Sequence, residues 1–155
     1  MTDHNHADCV ETALLQAEAL CAERGARLTD LRRQVLELVW RRHEPVGAYD
    51  LLEALKTKQG RAAPPTVYRA LDFLMGQGLV HRIETLNAYI GCAHPDRSHS
   101  GVFLLCRRCG TIGELDDAAI GDFLHARAEA RGFRAESQTV EIRGLCADCT
   151  AAPAI

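Results

Sequence analysis

Four of the seven cysteines in this chain occur as two Cys-x-x-Cys pairs, Cys106 with Cys109 and Cys146 with Cys149. This spacing lets two thiolates of one turn bind the same ion, and two such pairs complete a tetrahedral zinc site. An odd number of cysteines in a reducing compartment also favours metal binding over disulfides. The alternative is a pair of redox dithiols, which lie at strand-to-helix starts, and we expect neither pair there. The sequence therefore predicts structural zinc.

A looser group of candidate metal ligands consists of His81, Cys92, His99 and Glu114. Each is a weak indication by itself, because a lone histidine is usually a surface residue and a buried free cysteine is usually a small apolar side chain. His94 competes with His99 for the same role. If the four share an ion, the thiolate favours zinc over iron(II) or manganese(II), which prefer imidazole and carboxylate ligands.

The residues before position 93 carry the periodicities of four helices and a β-hairpin. The predicted helices span 11–24, 30–43, 48–58 and 64–76, and the hairpin strands span 79–84 and 88–92. Thr29 is the expected N-cap of the second helix, and Thr66 is a candidate cap for the fourth. Residues 1–9 are expected to precede the ordered part. Four helices followed by a hairpin are the elements of a winged helix-turn-helix.

Residues 93–101 are polar and form the predicted linker, beyond which the pattern changes. Strands are expected at 102–105, 111–115 and 134–143, with a helix from its cap Asp116 to about residue 131. The fold class is therefore α+β. A winged helix-turn-helix domain is predicted at 1–92, and a small α/β domain at 102–155.

Net charge is −3, which does not by itself favour a nucleic-acid binder. Arginines nevertheless cluster in the first helices, at Arg24, Arg27, Arg32, Arg33, Arg41 and Arg42. A locally basic face on an acidic protein fits DNA binding with little non-specific affinity, although solvated helix faces have the same composition. The sequence has no apolar run of about 18 residues and no signal-peptide pattern. We therefore expect a cytoplasmic protein without a membrane partner.

Several segments resemble the ferric-uptake-regulator family of metal-dependent repressors. They are Arg27-Leu28-Thr29-x-x-Arg32, Pro64-Pro65-Thr66-Val67-Tyr68-Arg69-Ala70-Leu71, Gly78-Leu79-Val80 and Cys106-x-x-Cys109-Gly110. The resemblance covers about residues 10–150. The stretch from Ala48-Tyr49-Asp50-Leu51-Leu52 to Leu74 resembles the zinc-uptake-regulator branch of this family.

The resemblance implies a homodimer that binds a double-stranded DNA operator through its winged helices and pairs through its C-terminal domains. It implies a repressor of zinc-uptake genes that recognises palindromic operators and uses zinc as corepressor. It also implies two Zn²⁺ per protomer, a structural ion at Cys106, Cys109, Cys146 and Cys149 and a regulatory ion at His81, Cys92, His99 and Glu114.

This chain departs from the family pattern in two places. Many members carry a His-His-Asp-His run where this sequence has Ser98-His99-Ser100-Gly101. A histidine often found in the last strand corresponds to Gln138. We therefore expect no third metal site.

The fourth helix is the candidate recognition helix for DNA. Arg69 can donate two hydrogen bonds to a guanine edge, although a surface salt bridge is the alternative. Tyr68 and Thr66 can touch thymine methyls or phosphates, with core packing as the alternative for Tyr68, and the resemblance adds Tyr49 as a base contact. Arg27, Arg32 and Arg33 are expected to contact phosphates, which sets register without reading sequence.

The candidate regulatory ligands come from the wing, the linker and the second domain, so a shared ion would fix the angle between the two DNA-reading heads. Two alternatives remain. One is an iron-, manganese- or peroxide-responsive regulator on the same fold. The other is a zinc-dependent enzyme, but a catalytic zinc keeps an open position, and the deaminase signature is absent. We therefore expect no enzymatic activity.

Overall fold

The computed structural model describes residues 6–42, 44–59, 63–96 and 101–153. The chain divides into two compact units, Met1–Arg97 and Ser98–Ile155. Each unit combines helices with a three-stranded sheet, which confirms the predicted α+β class. None of the described helices has the length and apolar character that a membrane crossing requires.

The N-terminal unit is a winged helix-turn-helix. Its elements are α1 (His6–Glu23), α2 (Asp30–Trp40), β1 (Val46–Gly47), α3 (Ala48–Gln59), α4 (Pro64–Gly76), β2 (Val80–Ile83), a 3-10 turn (Glu84–Leu86) and β3 (Ala88–Gly91). The strands form an antiparallel sheet in the order β1-β3-β2, and β2 with β3 forms the predicted hairpin.

Two helix starts show where local sequence rules succeed and fail. The Thr29 side chain accepts a hydrogen bond from the Arg32 N–H and caps α2, as predicted. Thr66 does not cap α4, because the N-cap is Ala63 and Thr66 already lies in the first turn. The prolines at positions 64 and 65 occupy the first helical positions, where a missing N–H costs nothing. The expectation that residues 1–9 precede the ordered part is also wrong for His6–Cys9, which belong to α1.

A single apolar cluster holds the N-terminal unit together and fixes the orientation of α4. It joins buried residues of every helix and of the hairpin. The α4 contribution is Val67, Ala70, Leu71 and Leu74. These positions recur every three or four residues, so they cover one side of the helix. The opposite side, with Thr66, Tyr68 and Arg69, is exposed.

The C-terminal unit contains β4 (Gly101–Cys106), β5 (Ile112–Glu114), α5 (Ala118–Glu129), β6 (Thr139–Gly144) and α6 (Ala147–Ala151). The sheet order is β5-β4-β6, with β5 antiparallel and β6 parallel to β4. The cap of α5 is Asp117, whose side chain accepts from the Ala119 N–H at 3.0 Å, so the prediction of Asp116 is wrong. The short helix α6 was not predicted.

The C-terminal unit has a much smaller apolar core. Among its described residues, the buried hydrophobic side chains all belong to β4, namely Val102, Phe103, Leu105 and Cys106. Phe123, Phe133 and Ile142 are each at least half exposed. This unit therefore depends on some other source of stability.

Candidate metal centres and nucleic-acid interface

The parallel pairing of β4 and β6 brings the two Cys-x-x-Cys pairs together. Cys106, the last residue of β4, pairs in register with Gly144, the last residue of β6. The first pair begins at the end of β4, and the second follows two residues after β6. A one-residue slip in the register of either strand would separate the pairs, so the sheet positions all four thiols.

The arrangement of the four sulfur atoms matches a zinc tetrahedron. The Sγ atoms of Cys106, Cys109, Cys146 and Cys149 all lie within 4.8 Å of one another. The Sγ atoms of Cys109 and Cys146 are 3.7 Å apart. Bonds of 2.3 Å to a tetrahedral zinc place two sulfur atoms about 3.8 Å apart. A disulfide would need about 2.05 Å, and all four cysteines are free thiols.

The surroundings of three of these thiols shift their pKa values in different directions. Hydrogen bonds from the backbone N–H groups of Cys109 and Cys146 lower the pKa of Cys106 to about 5. Contacts with the side chain and backbone of Thr111 lower the pKa of Cys109. Burial and the neighbouring thiols raise the pKa of Cys149 to about 12. These surroundings favour the thiolate at Cys106 and Cys109 and the neutral thiol at Cys149, and a divalent cation bound here would favour the thiolate at Cys149 as well.

The second cysteine pair lies at a strand-to-helix start, contrary to the prediction. Cys146 is the N-cap of α6 and follows shortly after β6, so the second pair does lie at a strand-to-helix start. The Cys146 sulfur nevertheless lies close to Cys109 of the other pair. A cluster drawn from both pairs fits one shared ion better than two separate dithiols.

Two residues beside the cysteines stabilise this arrangement. Gly110 adopts a φ of 76°, a left-handed conformation that favours glycine and closes the turn after Cys109. The Arg108 guanidinium donates a hydrogen bond to the carbonyl oxygen of Cys149. This contact joins the two pairs and places a positive charge beside the cluster.

Two of the predicted regulatory ligands meet at the base of the wing. His81 lies on β2, and Cys92 directly follows β3. A ring nitrogen of His81 and the Cys92 sulfur lie within 4.8 Å of each other. The Cys92 N–H donates to the Leu79 carbonyl at 2.9 Å, and its side chain is only 2 % exposed. The hairpin register therefore holds an imidazole and a thiol ready for a common ion.

The other two predicted ligands have different outcomes. Glu114 ends β5 in the C-terminal unit, pairs in register with Phe103 and is half-buried. His99 lies outside the described residues. Gln138, at the position of the family histidine, donates to the Gly121 carbonyl at 3.1 Å. This amide thus has a structural contact within its own unit.

The exposed side of α4 carries the predicted DNA contacts. Tyr68 is 49 % exposed, which argues against the alternative of core packing. Arg69 is exposed and forms no ion pair with any residue in the described ranges. Tyr49, at the start of α3, is 71 % exposed. All three side chains are available to a ligand.

The three predicted phosphate contacts differ in their surroundings. Arg27 is exposed. The Arg32 guanidinium stacks 3.7 Å from the centre of the Phe73 ring and donates to the Arg27 carbonyl at 2.6 Å. Arg33 donates to Glu18 at 2.9 Å, and this contact raises the pKa of Arg33 further. Arg32 therefore braces the loop before α2, while Arg27 is the arginine most open to a phosphate.

A close contact beside Cys92 was not predicted from the sequence. Gly91 packs so tightly against the Trp40 indole that an added Cβ would overlap the ring. Trp40 and Cys92 also line a cavity of about 330 Å³ together with residues of α1. An isolated glycine in a strand often marks such a close approach, and this signal was available in the sequence.

Together these features define a class: a winged-helix protein with a metal-binding α/β domain. The profile described as the ferric uptake regulator family matches residues 23–143. The chain belongs to this family.

Known relatives of the chain include two zinc uptake regulation proteins. The protein from Escherichia coli K12 is 42 % identical over 137 residues, which cover 88 % of this chain and 80 % of the relative. The protein from Mycobacterium tuberculosis H37Rv is 30 % identical over 128 residues, which cover 81 % and 95 %. Such relatives are regulatory proteins, which confirms the expectation that the chain is not an enzyme.

Solved structures give the same result. A zinc uptake regulator complexed with zinc and DNA has a TM-score of 0.84 and 41 % identity, covering 91 % of this chain and 95 % of that one. Holo XcZur has a TM-score of 0.82 and 47 % identity, covering 91 % and 99 %. The predicted family resemblance and fold are therefore confirmed.

Proposed function

We propose that this protein is a zinc-responsive transcriptional repressor that binds palindromic operators of zinc-uptake genes as a homodimer, with zinc as corepressor. The observation that carries the proposal is the pairing of the His81 imidazole with the Cys92 thiol at the base of the wing. A thiolate in this position favours zinc over iron(II) or manganese(II). Relatives named as zinc uptake regulation proteins, and a similar structure that contains zinc and DNA, support the same metal and partner.

The regulatory ion is proposed to bind His81, Cys92, His99 and Glu114. Two neutral imidazoles, one thiolate and one carboxylate balance the charge of Zn²⁺, so the site can close without a buried net charge. With the four-cysteine site this gives two Zn²⁺ per protomer. Since His81 and Cys92 belong to the N-terminal unit and Glu114 to the C-terminal unit, the ligand set draws on both units.

The proposed domain assignment keeps the boundaries that the sequence predicts. We assign residues 1–92 to DNA binding, 93–101 to the linker and 102–155 to dimerisation, in a cytoplasmic protein. Leu104 and Ile142 are neighbours in register on β4 and β6 and are 42 % and 50 % exposed. An exposed apolar pair on a sheet supports its use in the homodimer.

The residues of the proposed regulatory site act by restricting the linker. Bound zinc would supply bonds to ligands that precede the linker and to ligands that follow it in the chain. His81 and Cys92 fix the wing, and Glu114 fixes the dimerisation domain. Paired recognition helices must lie about 34–36 Å apart to reach successive major grooves. A shift from 1:99 to 99:1 in favour of that spacing needs about 5.5 kcal/mol, which is roughly half or less of the 10–16 kcal/mol typical of structural zinc sites.

The decisive experiment measures metal content beside DNA binding at buffered free zinc. The probe is the duplex that the zinc-loaded protein selects from a random library. We expect Cys92→Ser and His81→Ala to lose one zinc per protomer and zinc-dependent DNA binding, while the dimer persists. Cys21→Ala is the control, because Cys21 is a buried core residue far from both clusters in sequence. Equal DNA affinity with and without the regulatory zinc would refute the proposal. Iron or manganese bound to the purified protein would instead favour the iron-, manganese- or peroxide-responsive regulator.

DNA reading is assigned to the exposed face of α4. Arg69 is proposed to bind a guanine edge, Thr66 and Tyr68 to contact thymine methyls or phosphates, and Tyr49 to contact a base. Arg27 is the principal phosphate contact, while Arg32 and Arg33 contribute through their charge and through the contacts described above. Arg69→Ala should cost about 1–3 kcal/mol of binding and relax specificity at one base pair. A uniform loss on all sequences, measured on a set of single-base variants, would instead assign Arg69 to the backbone.

A further inference from the structure

Arg24 connects three segments of the N-terminal unit. It directly follows α1. One terminal nitrogen, Nη1, donates to the Gln77 carbonyl at 2.6 Å and lies 3.5 Å from the Gln77 side-chain oxygen. The other, Nη2, donates to the Pro95 carbonyl at 3.2 Å. The two ends of one guanidinium thus contact two segments that are distant in sequence.

These two segments are the end of α4 and the chain that leaves the wing. Gln77 is the C-cap of α4. Pro95 lies three residues after Cys92 and is buried. The Cys92 N–H also bonds to the Leu79 carbonyl, and the Leu79 N–H bonds to Leu74 of α4, both at 2.9 Å. The recognition helix and the segment after the regulatory cysteine are therefore fastened at two points, one through backbone and one through Arg24.

We propose that Arg24 is a positioning residue that couples the regulatory metal site to the recognition helix, an inference that rests on the proposed function. Arg24 holds the segment at 93–96 against the end of α4. A displacement of Cys92 on metal binding is then transmitted to the end of α4, because Arg24 prevents the segment at 93–96 from moving independently of that helix. Chains of hydrogen bonds and packed side chains of this kind can carry coupling between distant sites.

The chemistry of arginine explains why this residue suits the role. The planar guanidinium carries its donors in a fixed fork and can hold two carbonyl oxygens at a set distance. The carbonyl end of a helix also carries partial negative charge, which favours a cation there. A lysine ammonium offers one nitrogen, which can occupy only one of the two donor positions.

The test compares Arg24→Met and Arg24→Lys with a matched control, Arg41→Met. Arg41 is another exposed arginine of the same unit, and its contact is the Glu37 side chain one helical turn away. Each variant is assayed as a full-length dimer on the duplex selected by the zinc-loaded wild type. The measurement is the ratio of DNA affinity with two zincs per protomer to that with only the structural zinc.

Both Arg24 variants should lower this ratio roughly 2- to 30-fold, with zinc stoichiometry and melting temperature retained, and Arg41→Met should leave it unchanged. An unchanged ratio in Arg24→Met overturns the inference. So does full recovery in Arg24→Lys, which would show that charge alone matters. Equal weakening with and without regulatory zinc, with a shallower salt dependence, would instead make Arg24 a phosphate contact. If the wild type itself shows no zinc-dependent ratio, the proposed function fails rather than this inference.

Discussion

The two units of the chain are stabilised in different ways. In the N-terminal unit, four helices and the hairpin contribute to one apolar cluster. In the C-terminal unit, the buried hydrophobic side chains among the described residues come from β4 alone, and four thiols surround the end of that strand. A domain of fewer than 60 residues buries too small a fraction of its surface to be very stable. The contrast supports the proposal that a metal ion at these cysteines takes over part of the stabilising role of an apolar core.

This difference has a consequence for how each unit responds to change. Apolar contacts are numerous and individually small, so a core tolerates the loss of one contact at moderate cost. A tetrahedral site has four bonds, and the loss of one ligand removes a large share of the binding energy. We therefore expect graded responses in the N-terminal unit and an abrupt response in the C-terminal unit.

The largest expected effect is the loss of structural zinc. Cys106→Ser, or removal of the ion by a strong chelator, should unfold residues 102–149, because structural zinc contributes about 10–16 kcal/mol in small domains. The N-terminal unit should remain folded. Amide hydrogen exchange, read separately for the two units, measures this, with Cys21→Ala as the control that removes a thiol outside the site. Full protection of the β4 and β6 amides from exchange in the zinc-free protein would contradict the idea that zinc stabilises the C-terminal unit.

An intermediate effect is expected at Gly91, whose backbone lies directly against the Trp40 indole. Gly91→Ala should destabilise this unit by roughly 1–3 kcal/mol, because the new methyl group would overlap the Trp40 indole. Gly76→Ala is the matched control, since nothing lies within 4 Å of its Cβ position and it ends a helix. Denaturant unfolding gives both values. If Gly91→Ala also released structural zinc, the two units would not be independent.

The smallest effect is expected at a surface ion pair of the N-terminal unit. Glu18→Gln removes the partner of Arg33, but the two side chains are 46 % and 44 % exposed. Such pairs contribute about 0–1 kcal/mol because solvent screens them. The melting temperature should change little, and the difference should shrink further at high salt. A loss comparable to that of Gly91→Ala would mean that charge, rather than apolar packing, dominates this unit.

Much of the fold could be predicted because the helices of the N-terminal unit are amphipathic and carry local start signals. Thr29 caps α2 as its sequence context indicates. The errors lie where neighbouring residues offer equivalent choices or where pairing is not local. Asp116 and Asp117 are both good caps, and only the structure shows which carboxylate reaches an N–H two residues on. The two-residue strand β1 exists only through its pairing with β3, which no local pattern encodes.

The candidate sites also differ in whether a local sequence pattern was enough to predict them. Spacing was sufficient for the four cysteines because Cys-x-x-Cys is a local feature. His81 and Cys92 needed the register of the hairpin to bring them together, and their role was suggested by resemblance rather than by spacing. The contacts of Arg24 and Arg32 with backbone carbonyl groups were not predicted. A hydrogen bond from a guanidinium to a carbonyl distant in sequence has no periodic sequence pattern that would indicate it.

The close packing of Trp40 against Gly91 has a practical consequence. Trp40 is the one tryptophan in the sequence, and it lines the same cavity as Cys92. Its indole emission depends on the polarity and quenching groups around it, and Cys92, one of the thiols that line this cavity, is also a candidate metal ligand. The unlabelled protein therefore carries its own fluorophore at the place where ion capture can be followed in real time.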